Sequence, residues 1–451
     1  MPDDQRNPPK PPVGPHKEKK KKEEKKKGAA PERVAESAAS EEDAPLILTP
    51  DHPSLQPFVE ALRANRRSLL SIPGVVAVDI GYKIVDGVYQ EERALRVHVE
   101  RKLPEEAFEG RRHEYIPKCG AQKAPETPRP QVNGVTLAEP FKLKGSPVTT
   151  DVIEANYKAM QFGPPRPDMS LEKPREVVDG RRRLDPLVGG ISIGSPEAPA
   201  GTLGALVWDN KDGSVCILSN WHVLSGDPRT EAGTPCFQPG RLDGGRSSDE
   251  VALLKRWSFD NKTDAAIAEL TGSRHYCAGE ILSLYQQITG TTPPHLGMLV
   301  QKVSRSTGFT WGFVDGFYFT STIEFNNGIV KAFEDQIHIA PPIPGGRISE
   351  PGDSGAVWVT KTKDEGYKAV GLHFAGDLPN SSFGEYALAN PISAVTERLE
   401  ISFRPLFLEI RDAAVEPLTE EAGQHRPNGR GRRQRGGSGG QPDPIQPGST
   451  G

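Results

Sequence analysis

The feature that most restricts the fold of this chain is a long series of short β-type runs separated by turn residues. From residue 187 onward, runs rich in Val, Ile, Leu and Ala alternate with segments of Gly, Pro, Asp and Asn. The clearest runs are 203–207, 215–218, 251–257, 265–270, 299–303, 310–320, 336–339, 356–359 and 369–374. Many short strands at such spacing are typical of an all-β barrel or sandwich. A closing helix is predicted over 395–399.

The residues before this region have a different pattern. Apolar residues at helical spacing predict a helix over 55–70, and alternating residues predict strands over 75–82, 94–99 and 148–154. A small α+β unit is therefore expected first. The predicted divisions are a Lys-rich leader (1–45), a small α+β domain (46–160), a Pro/Arg-rich linker (161–186), the β-rich domain (187–410) and a Gly/Arg-rich tail (411–451).

Both ends of the chain are polar and poor in apolar residues, so they cannot bury a core and are predicted to be disordered. Their Lys and Arg clusters could contact nucleic acid, but no aromatic residues are interleaved for base stacking. A solubilising role is therefore favoured. The net charge of −4 is too small to indicate nucleic acid or membrane as a partner of the whole molecule.

Cysteine usage and hydropathy suggest a compartment. Cys119, Cys216, Cys236 and Cys277 form no CxxC pair and no metal-ligand spacing, which favours a reducing environment. The N-terminus lacks the apolar stretch of a secretory signal, and no run approaches the roughly 18 apolar residues of a membrane span. We expect a cytoplasmic protein without a metal or cofactor; its oligomeric state is left open.

Three motifs in the β-rich region carry the candidate chemistry. A strand ends at His222, an apolar strand opens at Asp264, and Ser354 lies in the turn Gly352-Asp353-Ser354-Gly355. Glycines in such a turn let the backbone approach a ligand closely. The histidine and aspartate motifs alone are unspecific and the GDSG turn is more specific, but a histidine, an acid and a serine together indicate nucleophilic catalysis.

Two other carboxylates compete for the acidic role. Asp249 and Asp260 also lie between the histidine and the serine motifs. Neither opens an apolar run directly, so Asp264 is preferred.

The order His, Asp, Ser and the GDSG turn resemble the trypsin-like serine peptidases, over about residues 189–400. The runs 189–194 and 200–204 also resemble a bacterial group related to the plant narrow-leaf-type trypsin-like proteins, in which a small N-terminal module precedes the peptidase. Segments 72–75, 81–83 and 101–104 are similar to that module. The resemblance implies a mainly β fold, a chymotrypsin-like double β-barrel preceded by the small α+β domain.

The resemblance also implies a serine endopeptidase that acts on protein or peptide substrates through an acyl-enzyme. Ser354 would be the nucleophile, His222 the general base, and Asp264 the group that orients the imidazole. The backbone N–H groups of Gly352 and Ser354 would form the oxyanion hole. Asp353 would hold the serine turn in place, with a freed N-terminus after a cut at 181–183 as one candidate partner.

Two residues are candidates for substrate binding. Ile348 stands where trypsin-like enzymes place the base of the primary pocket, which disfavours Lys or Arg as the preferred residue. His373 resembles the histidine of glutamyl endopeptidases, so a preference for acidic residues is one interpretation; a core histidine is the other. The alternative function is a latent or non-catalytic trypsin-like fold that acts as a regulatory protein-binding module.

Overall fold

The structure is a computed structural model. It describes residues 47–405 except 86, 101, 103–142, 144–145, 156, 160–178, 285, 326, 344, 364–365 and 378–385. The predicted leader and tail, Cys119 and most of the predicted linker lie outside the described residues.

Among the described residues, the first part of the chain has one α-helix and four strands. They are α1 (Gln56–Leu70), β1 (Val75–Val85), β2 (Val88–Val99), β3 (Thr150–Glu154) and β4 (Tyr157–Ala159). Helix α1 buries Val59, Leu62 and Leu69 at helical spacing, which is why the sequence pattern predicted it. The helix and the three predicted strands are confirmed.

The first barrel follows. Its elements are β5 (Leu187–Gly189), β6 (Ile191–Ile193), β7 (Gly201–Leu203), β8 (Ala205–Asp209), β9 (Val215–Ser219), α2 (Trp221–Leu224), β10 (Pro235–Phe237), β11 (Glu250–Phe259) and β12 (Asp264–Leu270). Strands β10-β11-β12-β9-β8 lie side by side in this order, and a late strand, β21 (Ile401–Ser402), pairs with β8.

Strand β13 (Tyr276–Ile281) pairs with β5 of the first barrel. The second barrel is built from the elements that follow: β14 (Ile288–Thr291), β15 (Leu299–Ser304), β16 (Gly308–Glu324), β17 (Val330–Ala340), β18 (Val357–Lys361), β19 (Tyr367–Asp377), β20 (Ala387–Pro391) and α3 (Ile392–Leu399). Strands β15-β18-β19-β20-β17-β16 follow one another, and β15 also pairs with β16, so these six strands close. The predicted mainly β fold, a chymotrypsin-like double β-barrel, is confirmed; the closing helix α3 begins three residues earlier than predicted.

The first part of the chain continues the sheet of the second barrel. Strand β1 pairs antiparallel with β16, from Ala77 opposite Ser321 to Gly81 opposite Gly316. The sheet order therefore runs from β16 through β1 and β2 to β3. The domain boundaries expected from the sequence stay predictions. None of the helices among the described residues is long and apolar enough to cross a membrane.

A group of buried polar side chains, here called the ionic ring, lies where these segments meet. Its members are Asp79, Arg96, His98, Tyr157, Asp315 and His338. The Arg96 guanidinium pairs with both carboxylates, donating to Asp79 Oδ1 at 2.7 Å and to Asp315 Oδ2 at 2.7 Å. A side chain in place of Gly81 or Gly316 would collide with this guanidinium, so both positions require glycine.

Candidate active site

His222 and Asp264 are brought together by two neighbouring strands of the first barrel. Strand β12 pairs with β9, with Ala266 opposite Ser219, so the start of β12 lies beside the end of β9. His222 lies in α2, directly after β9, and Asp264 is the first residue of β12. The distance from His222 Nδ1 to Asp264 Oδ2 is 2.5 Å, and the His222 backbone N–H donates to Oδ1 at 3.2 Å.

Two amide side chains hold the backbone of Asp264. Asn220 Nδ2 donates to the Asp264 carbonyl at 2.6 Å, and the Asp264 N–H donates to Asn390 Oδ1 at 3.0 Å. Both asparagines are fully buried. Sequence reasoning missed them, although Asn220 stands two residues before His222, at the end of an apolar strand.

The two competing carboxylates are engaged elsewhere. Asp249 pairs with Arg274 at 3.0 Å, and Asp260 accepts hydrogen bonds from two backbone N–H groups in the turn before β12. In the structure Asp264 contacts the His222 imidazole.

The Ser354 turn is held against the first barrel by its backbone. The Thr202 N–H donates to the Ser354 carbonyl at 2.8 Å, and Thr202 Oγ1 donates to the Gly352 carbonyl at 2.9 Å. Gly352 and Gly355 have φ of +99° and +96°, a backbone region that favours glycine. A side chain at Gly355 would also collide with Ser219, the last residue of β9. The serine turn is therefore fixed relative to the strand that precedes His222.

Both reacting side chains of the predicted triad are buried. Ser354 and His222 are each only 1% exposed. The Ser354 hydroxyl donates to the Phe374 carbonyl at 3.3 Å. His222 Nε2, the nitrogen that faces away from Asp264, is buried and has no hydrogen-bond partner among the described residues.

Aromatic rings surround His222. The Phe325 ring centroid lies 5.4 Å from that of His222, and Trp221 stacks on Phe259 at 4.1 Å. Phe325 follows β16, and at the tip of the same hairpin Asn327 Nδ2 donates to the Gly226 carbonyl at 3.0 Å. The β16–β17 hairpin therefore packs over the α2 region of the first barrel.

Asp353 anchors the serine turn to strand β15. Lys302 Nζ donates to Asp353 Oδ2 at 2.8 Å, and both side chains are completely buried. The same carboxylate accepts from the Thr307 N–H at 3.0 Å and the Glu350 N–H at 3.1 Å. Burial raises the pKa of Asp353, but the Lys302 charge and the hydrogen bonds to the carboxylate together outweigh it, and the net pKa is lowered. The cation that pairs with Asp353 is thus Lys302. A freed N-terminus was the candidate for this role that the sequence offered.

The two candidate specificity residues lie in the interior. Ile348 is 2% exposed and packs in the apolar core of the second barrel. His373 is fully buried; Trp358 Nε1 donates to its Nδ1 at 3.4 Å, and its Nε2 lies 2.8 Å from Ser349 Oγ. Burial and the nearby Lys302 charge lower the pKa of His373 to about 3, so this imidazole is neutral at physiological pH.

Comparison with known proteins finds likeness in structure only. No protein-family model matches the chain, and no curated protein is similar to it in sequence. Protease A of Thermobifida fusca is 16% identical with a TM-score of 0.35, and covers 48% of this chain and 96% of its own. A Cellulomonas bogoriensis chymotrypsin is 15% identical, with a TM-score of 0.34 and coverages of 48% and 98%. A glutamic-acid-specific serine protease is 18% identical, with a TM-score of 0.35 and coverages of 48% and 99%.

Proposed function

We propose that this protein is a serine endopeptidase that hydrolyses peptide bonds through His222, Asp264 and Ser354. The observation that carries the proposal is the 2.5 Å contact between His222 and Asp264, on the barrel to which the GDSG turn is bonded. With Nδ1 turned to the carboxylate, Nε2 is the nitrogen left to act as base.

The proposed reaction assigns one role to each of these residues. Ser354 Oγ attacks the substrate carbonyl carbon while its proton passes to His222 Nε2. The carbonyl oxygen becomes an oxyanion, which the N–H groups of Gly352 and Ser354 would stabilise. The tetrahedral intermediate then collapses: the C–N bond breaks, His222 returns the proton to the leaving amine, and an acyl-Ser354 ester remains. Water, deprotonated by His222, hydrolyses this ester and restores the enzyme.

A fluorophosphonate probe tests the nucleophile. We expect it to label the full-length protein and the Ser247→Ala variant, in which an exposed serine outside the GDSG turn is removed. It should not label Ser354→Ala. Equal labelling of Ser354→Ala and wild type would refute the assignment of Ser354 as the nucleophile.

A preference for acidic residues is a separate part of the proposal, suggested by the resemblance of His373 to the histidine of glutamyl endopeptidases. Because the His373 imidazole is neutral and already contacts Ser349 and Trp358, a substrate carboxylate would have to replace the Ser349 contact or raise the pKa of the imidazole. A peptide-library profile enriched in Glu or Asp, with the enrichment lost in His373→Ala, would support it. An unbiased profile in both proteins would remove it.

The second candidate function is a latent or non-catalytic trypsin-like fold that binds other proteins. The near-complete burial of Ser354 and His222 is the observation that favours it. A peptide-hydrolysis assay with the purified protein separates the two functions, because only the peptidase would cleave the peptides. Kinship with the bacterial group related to plant narrow-leaf-type proteins likewise remains a proposal.

A further inference from the structure

One edge of strand β19 contacts three neighbours in succession. Strand β18 pairs along this edge first, from Tyr367 to Leu372, which lies opposite Val357. The His373 carbonyl then accepts from the Gly355 N–H at 2.9 Å. Next, the Phe374 carbonyl accepts from the Ser354 hydroxyl. Strand β18 ends its pairing here because the chain turns away at Ser354.

Strand β4 takes the same edge directly beyond the serine. Its three residues pair antiparallel with β19: Ala159 with Ala375, Lys158 with Gly376, and Tyr157 with Asp377. Since the pairing is antiparallel, the chain runs toward Phe374 and Ser354 as it passes from Tyr157 to Ala159. The other edge of β19 is covered over the same residues by β20.

An extended peptide that reaches Ser354 has to lie along this edge. Proteins commonly bind extended peptides as an added strand, with main-chain hydrogen bonds to an exposed sheet edge. The edge beyond Phe374 is the one next to the hydroxyl, and β4 already fills it. We propose that Tyr157–Ala159 occupies the strand position that a peptide substrate takes beside Ser354, so that the chain inhibits its own active site. This inference rests on the proposed peptidase function.

Tyr157 anchors this inhibitory strand. Its hydroxyl lies 2.8 Å from His98 Nδ1 and 2.8 Å from His338 Nε2, within the ionic ring, and its ring packs edge-on against Phe319 at 4.8 Å. Tyr157 is buried, whereas the Lys158 side chain is exposed. Among the described residues, the strand is therefore held by one aromatic anchor and by main-chain pairing over three residues.

The burial of the candidate site agrees with this inference. Ser354 and His222 are each 1% exposed while β4 is in place. A substrate of any side-chain type would have to displace Tyr157–Ala159 before its main chain could pair with Ala375–Asp377. Release of β4 is thus the step that would switch activity on.

The test compares rates of fluorophosphonate labelling and of hydrolysis of a mixed fluorogenic peptide pool in the full-length protein. Lys158→Pro removes a backbone N–H from the strand without changing a buried side chain. Tyr157→Phe removes only the hydroxyl contacts of the anchor. We expect both to label and hydrolyse at least about tenfold faster than wild type, which corresponds to a loss of roughly 1.4 kcal/mol of strand binding.

The matched control is Glu91→Pro, a proline at an exposed position of β2 without a register partner in β1. It should leave both rates at the wild-type value, and circular dichroism should report folded protein for all variants. A synthetic peptide of residues 152–159, added to Lys158→Pro, should lower the rate again in competition with substrate.

The outcomes separate this inference from the proposed function. Faster labelling of both strand variants, absent in the Ser354→Ala background, supports inhibition by β4. Rapid labelling of wild type at the same rate as the variants overturns the inference and leaves the peptidase intact. If the folded strand variants are neither labelled nor active, the peptidase function is refuted, and the inference with it.

Discussion

Replacing Lys302 by methionine should be one of the most damaging single changes in the second barrel. Lys302 and Asp353 are both fully buried, and the ammonium donates to the carboxylate, to Ser304 Oγ at 3.1 Å and to Thr307 Oγ1 at 3.0 Å. Removing one partner of a buried ion pair leaves an uncompensated charge, which typically costs about 3–5 kcal/mol. Total stabilities of roughly 5–15 kcal/mol make this a large share of the free energy of unfolding.

The same argument gives a pH signature. In the wild type the pKa of Asp353 is lowered, so its pair contributes stability above the unfolded value of about 3.9 and loses it only in strong acid. In Lys302→Met the counter-charge is gone, and burial raises the pKa of the carboxyl. The variant should therefore be most destabilised at neutral pH, and the difference from wild type should shrink as the pH falls and Asp353 becomes protonated.

Urea unfolding followed by tryptophan fluorescence at pH 7.5 and pH 5 measures both effects. Lys211→Met is the matched control, because the Lys211–Glu400 pair is exposed and is expected to contribute at most about 1 kcal/mol. The double variant Lys302→Met/Asp353→Asn should recover part of the loss. A cost below about 1 kcal/mol for Lys302→Met, or one independent of pH, would refute the role given to this pair.

Three further predictions concern the candidate site. Asp264→Asn should keep the fold but slow fluorophosphonate labelling by a factor on the order of 10⁴, because the imidazole of His222 loses its orienting acceptor; labelling within tenfold of wild type would contradict this. His373, with its pKa lowered to about 3, contributes stability that is complete above about pH 6.5 and is lost as the pH falls toward 3. His373→Gln should reduce the dependence of the unfolding free energy on pH in the acid range by up to about 1.4 kcal/mol per pH unit. An unchanged dependence, measured by urea unfolding at several pH values, would show that the histidine is not neutral in the folded protein. Gly352→Ala should cost more than Gly213→Ala: both glycines have positive φ, which alone costs about 1–3 kcal/mol, but an added Cβ meets nothing within 4 Å at Gly213 and collides with packed side chains at Gly352. Equal thermal unfolding of the two variants would argue against this crowding.

The β pattern and the three candidate motifs were predictable because they are local signals. Alternating apolar runs report which residues face a core, and the GDSG turn carries its own glycine requirement. His222 and Asp264 are also placed by local features, since His222 follows one apolar strand, Asp264 begins another, and the two strands pair. The sequence order of the motifs then sufficed to bring these residues into one hypothesis.

The supports of the site were harder to predict because they depend on long-range pairing. Lys302 lies in an ordinary strand. Only its position two residues after buried Val300, on the same face of the strand, indicates that its ammonium points inward. Asn390 approaches Asp264 from strand β20, far along the chain. Strand β4 has three residues, too few for a periodicity, and its partner is more than 200 positions away. No local pattern reports such contacts.

The ionic ring explains how the first part of the chain can be joined to the second barrel through buried charges. Tyr157 has one hydroxyl proton but faces a ring nitrogen of both His98 and His338, so one imidazole must donate to it. The other nitrogen of each imidazole faces a carboxylate of Asp79 or Asp315, which only accepts.

Burial lowers the pKa of His98 to about 4 despite the nearby Asp79. The Arg96 guanidinium pairs with both carboxylates of the ionic ring, Asp79 and Asp315. Because the charged and polar groups of the ring bond one another, they can be buried together, and the ring fixes Tyr157, and with it the inhibitory strand, to the barrel.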